Sequence, residues 1–278
     1  MKTKSVTPTK YAEAFLKIVK ETESGSILKP ERFKTVMYEN RGFIQSLSPF
    51  APSEDGLERK NPIIVALGDS VTAGHFEFNG DPEKFFAKAE TGQIGESDII
   101  EITDVRECYL EKFRVKLIDY YEQTSVSTIN CGIAGDNMYG MEKRLERDVI
   151  RYQPDLVIIN GSLNWGEECG STEDYRKILS IVIDRILGNT DADIILLTPN
   201  MDLSGPFVNP LSSLEERVEV IRTLAAEKNV CLADVYAVWK AYEAAGYPVK
   251  DLLANGMNHP TVTGHEAYAE MLMKLIRE

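Results

Sequence analysis

Ile63-Ile64-Val65-Ala66-Leu67-Gly68-Asp69-Ser70-Val71-Thr72-Ala73-Gly74 decides the fold. Its first five residues are apolar without alternation, which suits a strand buried on both faces rather than one half in water. The run stops at Gly-Asp-Ser, residues that punctuate turns. A buried strand that ends on a small polar turn is the opening unit of an α/β sheet.

Four further runs of the same kind follow, at Val126–Asn130, Leu156–Asn160, Ile194–Thr198 and Val230–Asp234. Between them the apolar period changes from continuous to helical. Met138, Met141, Leu145 and Val149 form one stripe; Tyr175, Ile178, Leu179, Val182 and Ile186 form a second. Leu211, Leu214, Val218, Ile221 and Leu224 form a third, and Tyr268, Met271, Leu272 and Leu275 close the chain. These stripes are read as core packing. Asn209-Pro210 reads as N-cap and first helical residue, and Thr263-x-x-Glu266 as a capping box. Strand–helix alternation predicts an α/β fold in three αβα layers: a five-stranded parallel sheet of flavodoxin-like order with helices on both faces. Residues 61–278 hold this pattern. Residues 1–60 are read as an extension that docks on it, with one amphipathic helix (Tyr11, Phe15, Ile18, Val19) and short strands within Phe33–Phe50.

The charge balance narrows the partners. Among 278 residues, 44 Asp+Glu against 31 Lys+Arg leave −13, an ordinary soluble composition with the wrong sign for binding phosphate backbones. Nucleic acid and anionic membrane surfaces are therefore disfavoured. No apolar run reaches the roughly 18 residues of a membrane helix, and Met1–Lys20 has no signal-peptide pattern, so a cytoplasmic location is the default. Cys108, Cys131, Cys169 and Cys231 are scattered and read as reduced. Nothing assigns an oligomeric state. Glu142-Lys143-Arg144 reads as a solvated helix face.

In a doubly wound sheet, ligands bind beyond the carboxyl ends of the strands. Ser70 stands there after the first strand. Gly132-Ile133-Ala134-Gly135-Asp136-Asn137 follows the second, with glycines that let backbone approach a ligand. Ser162-Leu163-Asn164-Trp165 follows the third, where Asn164 offers an amide donor. Asn255-Gly256-Met257-Asn258-His259-Pro260 precedes the last helix. Each feature alone also reads as an ordinary turn, cap or core residue.

Together, in this order, the four segments resemble the blocks of the SGNH (GDSL-type) ester hydrolase family over residues 61–278. The resemblance implies Ser70 as nucleophile and His259 as general base. It implies an oxyanion hole from the backbone N–H of Ser70 and Gly135 and the side chain of Asn164, for a small-molecule ester, with no metal and no cofactor. Dinucleotide, P-loop and H-E-x-x-H signatures are absent. The chain departs from the family in two places. Trp165 stands where the third block usually has Asp. In the last block Gly256 and Asn255 fill the two positions, three and four before the histidine, where family members place an acid. Three orienters of His259 are open: Asn255 accepting through its side-chain oxygen, a backbone carbonyl, or Asp251 folding back. The first is preferred, giving a Ser-His dyad.

Trp165 reads either as a stacking surface for a sugar ring in the substrate pocket or as a space-filling aromatic. Residues 75–103, with His75, Phe76, Phe78, Phe85 and Phe86, read as a pocket wall or as a surface excursion. His265 reads as structural. The functional expectation is a serine esterase for short acyl esters or acetylated carbohydrate. Its rival is an impaired SGNH-fold binding module, motivated by the missing acid; a nucleotide-binding flavodoxin-like domain is a remote third.

Overall fold

A computed structural model describes residues 8–46, 61–77, 84, 87, 88, 91–93, 101–122, 126–203 and 209–277. In chain order the elements are α1 (Thr9–Glu21), α2 (Glu31–Ser46), β1 (Ile63–Gly68), α3 (Ser70–Ala73), β2 (His75–Glu77), β3 (Glu101–Asp104) and α4 (Tyr109–Tyr121). Then come β4 (Ser127–Gly132), α5 (Met138–Lys143), α6 (Leu145–Asp148), β5 (Leu156–Asn160), α7 (Thr172–Asn189) and β6 (Asp193–Leu197). The last are α8 (Leu214–Glu227), β7 (Cys231–Ala233), α9 (Val235–Ala244) and α10 (Val262–Arg277).

Five strands pair in parallel in the order β4-β1-β5-β6-β7, and β2 and β3 form a separate antiparallel ribbon. Counted by appearance within the large sheet this is 2-1-3-4-5, the flavodoxin-like order read from the sequence. Alternate strand residues feed two cores. Ile64, Ala66, Ile158 and Ile195 pack under α1, α2, α4, α9 and α10. Val65, Leu67, Val157 and Ile194 pack under α5, α6, α7 and α8. Two covered faces explain why the strands read as continuous apolar runs.

Several local readings are corrected. Residues 31–46 are helical throughout, where short strands were expected from Phe33 onward. Phe33 and Met37 lie four apart on one helix face and are fully buried, so the mixed apolar run has helical period. The helix expected from Asn209-Pro210 begins at Leu214. Ser213 caps it reciprocally with Glu216, two satisfied amides that a proline start does not supply. Leu211 is accordingly 57% exposed, outside the core stripe. Asn209 instead ties the preceding loop, its Nδ2 donating to the carbonyls of Gly166 (2.8 Å) and Gly170 (2.9 Å). Thr263 lies inside α10, and the hydroxyl that receives an end amide is that of Thr261, from the Gly264 N–H. Glu266 pairs with Lys116 at 2.6 Å instead. The stripe from Met138 to Val149 is broken at Arg144 into α5 and α6.

The N-terminal helices pack on the sheet layers. Phe15 of α1 meets Trp239 and Tyr242 of α9 edge-on, each at a centroid distance of 5.2 Å. Lys274 of α10 donates to the carbonyls of Val19 (2.7 Å), Lys20 (3.1 Å) and Thr22 at the end of α1, where the helix dipole favours a cation. The Phe33 amide donates to Asp193 at 2.8 Å, and Arg32 pairs with Asp155 at 3.3 Å. We propose that α1 and α2 are integral to the hydrolase fold. Phe15→Ala is then expected to cost about 3–5 kcal/mol and to lower the melting temperature by roughly 10 °C. A thermal melt within 2 °C of the native chain would reject this placement.

No described helix is long and apolar enough to cross a membrane. Of the insertion aromatics, Phe78, Phe85 and Phe86 lie outside the described residues, as does Phe50.

Candidate active site

β1 ends at Gly68, and the chain turns at once into the single turn α3 with Ser70 as its first residue. Asp69 caps that turn, its Oδ1 accepting from the Val71 N–H at 2.9 Å. The cap holds Ser70 at the carboxyl edge of a central strand. Almost two hundred residues later, the loop before α10 brings His259 to it: Ser70 Oγ and His259 Nε2 are 2.7 Å apart. That loop is anchored from several sides. Leu253 and Pro260 bridge, and the Ala254 N–H donates to the His259 carbonyl at 2.7 Å. Asn200, just past β6, donates to the Asn258 carbonyl at 2.8 Å.

Gly135 sits in the turn after β4 with φ +76°, exposed, and a Cβ there would meet no atom within 4 Å. Glycine is needed for the left-handed backbone, not for space. Asn164 follows β5. Its Nδ2 donates to the Asp136 carbonyl at 3.1 Å, which uses one of two N–H donors and fixes the plane of the amide. Beside these residues opens a cavity of about 860 Å³. Gly135, Asn164, Asn258, Asp202, Glu215 and Lys240 are among the residues that line it, with Asn258 next in sequence to His259.

Asn255 meets His259, but with the opposite polarity to that expected. Its Oδ1 accepts three backbone amides, from Met257 (3.0 Å), Asn258 (2.9 Å) and His259 (2.9 Å). Its Nδ2 therefore faces outward, 2.9 Å from His259 Nδ1 and 2.8 Å from Asn258 Oδ1. The oxygen expected to orient the imidazole is taken by the turn. Asp251 lies in the turn Val249–Leu252, where its charge acts on Tyr242; the group on Nδ1 is Asn255.

Trp165 does not border the cavity. It is 1% exposed, stacks on Tyr139 at 5.2 Å, meets Tyr175 edge-on at 5.1 Å, and donates from Nε1 to the Gly170 carbonyl. Burial against α7 corrects the sugar-stacking reading. Phe76 of β2 stacks on the His259 ring at 5.0 Å, so the start of the 75–103 segment walls the histidine. His265 is fully buried, its Nδ1 accepting the Tyr109 amide at 3.3 Å.

Arg144 was missed as a site residue. It is 8% exposed, not a solvated face. Its guanidinium donates to the carbonyls of Gly68 (2.9 Å) and Cys131 (2.7 Å) and pairs with Asp136 (2.7 Å) and Asp148 (2.8 Å). One fork thus ties the ends of β1 and β4 to the Gly135 turn. The i,i+4 spacing to Asp148 was the available signal.

Burial dominates the titration. It pushes the His259 imidazole down to about 4, with His75 adding repulsion. It pushes the Asp69 carboxyl up to about 7, against its hydrogen bond from Val71 and with Asp136 adding to the rise. At neutral pH His259 is therefore uncharged, the form a general base requires. Among the described residues no cluster of three His, Cys, Asp or Glu side chains could hold a metal ion.

A family model described as GDSL-like Lipase/Acylhydrolase family matches residues 66–267. The chain is 27% identical over 171 residues to an acetylxylan esterase of Geobacillus stearothermophilus, covering 56% of this chain and 74% of that one. Among solved structures, a lipase/acylhydrolase from Enterococcus faecalis superposes with a TM-score of 0.55 at 24% identity, covering 76% of this chain and 92% of that one. A variant of an acetyl xylan esterase from Geobacillus stearothermophilus gives 0.56 at 22% identity, covering 78% and 95%.

Proposed function

We propose, from the premise that the chain belongs to the GDSL-like lipase/acylhydrolase family, that this ester hydrolase works through Ser70 and His259 on short acyl esters of hydroxyl-rich alcohols. The observation that carries the reading is the 2.7 Å contact between Ser70 Oγ and His259 Nε2.

In the reaction, Ser70 Oγ attacks the ester carbonyl carbon while its proton passes to Nε2. The carbonyl oxygen becomes an oxyanion, received by the amides of Ser70 and Gly135 and the second N–H of Asn164. Each such donor contributes about 3–4 kcal/mol to the transition state. The imidazolium returns the proton to the leaving alcohol, and an acyl-Ser70 ester remains. Water repeats the sequence and frees the acid. No step calls for a metal or cofactor.

The cavity supports the substrate class. Its wall carries Asn137, Asp202, Asn209, Ser212, Glu215 and Lys240 alongside the apolar Leu163, Met201, Leu203, Leu214 and Met257. Burying a long acyl chain there would leave polar groups without partners, whereas a polyol offers them hydrogen bonds. Acetylated carbohydrate fits both this wall and the acetylxylan esterase named among the relatives.

The test is turnover of p-nitrophenyl acetate, butyrate and octanoate, and acetate release from acetylated xylo-oligosaccharides. The expected order is acetate above butyrate above octanoate. Octanoate turned over fastest would overturn the short-acyl reading. The lack, among the described residues, of a carboxylate on His259 favours, as second reading, a binding module with impaired chemistry. Absence of Ser70-dependent turnover together with retained oligosaccharide binding would select it.

A further inference from the structure

We infer that Asn255 is a tautomer lock: by donating to Nδ1 of His259 it places the ring's single proton on Nε2, so that the resting imidazole donates to Ser70 instead of accepting from it. The inference rests on the Ser70–His259 reading and adds a positioning residue with a defined sign.

A neutral imidazole has one N–H and one bare nitrogen. An amide nitrogen has no acceptor capacity, so a contact of 2.9 Å between Asn255 Nδ2 and His259 Nδ1 requires Nδ1 to be bare. The proton then lies on Nε2, 2.7 Å from Ser70 Oγ. Turning the Asn255 amide over would reverse this, but its Oδ1 holds the three amides of Met257, Asn258 and His259. A flipped amide would set NH2 against three N–H donors in a site where Asn255 is 2% exposed. The second N–H of Nδ2 goes to Asn258 Oδ1 at 2.8 Å, so both hydrogens are committed.

To act as base, His259 must first move its proton from Nε2 to Nδ1, where it meets the Asn255 amide head-on. That minor tautomer limits turnover. A carboxylate of the same shape removes the conflict. In Asn255→Asp one oxygen keeps the three backbone amides, and the other accepts from Nδ1–H. Asn258 then rotates to present its own amide hydrogens.

The titratable groups around the ring are His75 of β2, 3.2 Å from Glu77, and His265 of α10, with Asp69 beside the nucleophile; Phe76 covers one ring face. None of these supplies a carboxylate to Nδ1. Asn255→Asp is therefore expected to raise kcat for p-nitrophenyl acetate by about 10⁴-fold, the inverse of removing a triad acid. The new charge also favours imidazolium, so the acid limb of kcat/KM should move up by about 1–3 pH units.

The experiment combines these rates with ¹⁵N spectra of the histidine rings at pH 7, assigned among three histidines by His259→Gln. Native protein should show Nε2–H at residue 259, and Asn255→Asp should show Nδ1–H. An Nδ1–H signal in the native protein overturns the lock. So does an Asn255→Asp protein that melts normally and gains neither rate nor Nδ1–H. If the variant's turnover survives Ser70→Ala, the esterase reading fails instead, and the native spectrum still decides the tautomer.

Discussion

Ser70→Ala is expected to lower p-nitrophenyl acetate turnover by about 10²-fold in the native chain and by about 10⁶-fold in the Asn255→Asp background. The two figures come from one argument. Removing the nucleophile of a complete triad costs on the order of 10⁶ in kcat. A triad whose acid is replaced by Asn has already forfeited roughly 10⁴ of that through the wrong tautomer. What remains above the oxyanion hole and substrate binding is about 10², from the same two principles. The Ser70 hydroxyl contacts His259 in the native chain, and α3 is capped by Asp69 rather than by Ser70. The alanine variant should therefore melt within a degree or two of its parent, as exposed or small substitutions do. Kinetics on the four proteins of the cycle check this. Equal losses in both backgrounds would mean that Asn255 does not limit the native enzyme. No loss in either would remove Ser70 from the chemistry.

The strands were legible because the sheet is covered on both sides. A buried run such as Leu156–Asn160 needs no periodicity to be recognised and kept its bounds, while the other four strands differ from their expected bounds only at the ends, by a residue or two. Helix starts were less legible. Asn209-Pro210 carries a strong local signal, yet Ser213, four residues on, and Glu216 satisfy each other's amides and set the start of α8. Asn209 is recruited by carbonyls of a loop forty residues away, which no local pattern encodes.

The site divides along the same line. Ser70 and His259 stand at a strand end and a loop tip that the topology brings to 2.7 Å, and Gly135 and Asn164 border one cavity; order along the chain was the signal that grouped all four as candidates. The polarity of Asn255 was hidden because it depends on which atom the turn consumes. A signal existed: Asn before Gly favours a side-chain oxygen that accepts backbone amides two residues on. Weighing that turn against the triad would have turned the amide nitrogen toward the ring. Arg144 was hidden because charged runs are usually solvated, whereas here two strand-end carbonyls and Asp136 converge on its guanidinium.

Gly132→Ala is expected to damage fold and catalysis together. Gly132 ends β4, beside Gly68 of β1 in the parallel register. A Cβ on Gly132 would lie 2.1 Å from the Ala73 nitrogen and 2.6 Å from both the Ala73 Cα and the Thr72 carbonyl carbon. All three are backbone atoms of α3, so no side chain can swing away. Either the end of β4 or the turn bearing Ser70 must move by about an ångström. Overpacking of this kind costs about 1–3 kcal/mol, with larger values where backbone must shift. The catalytic cost is separate, because a displacement of about 1 Å at a reacting group lowers rate by roughly 10²-fold. Asn130 adds to the constraint, since its Nδ2 donates to the Thr72 carbonyl at 2.7 Å and its Oδ1 accepts from the Gly132 N–H at 2.9 Å. Separating β4 from α3 breaks that link as well. Measured in the Asn255→Asp background, where the rate window is wide, Gly132→Ala should lose both melting temperature and kcat, while Gly188→Ala, with no atom within 4 Å of the added carbon, should lose neither. If Gly132→Ala keeps full turnover, the nucleophile's turn is not held by the close approach of β4, and the rigid seat proposed for Ser70 must come from the Asp69 cap alone.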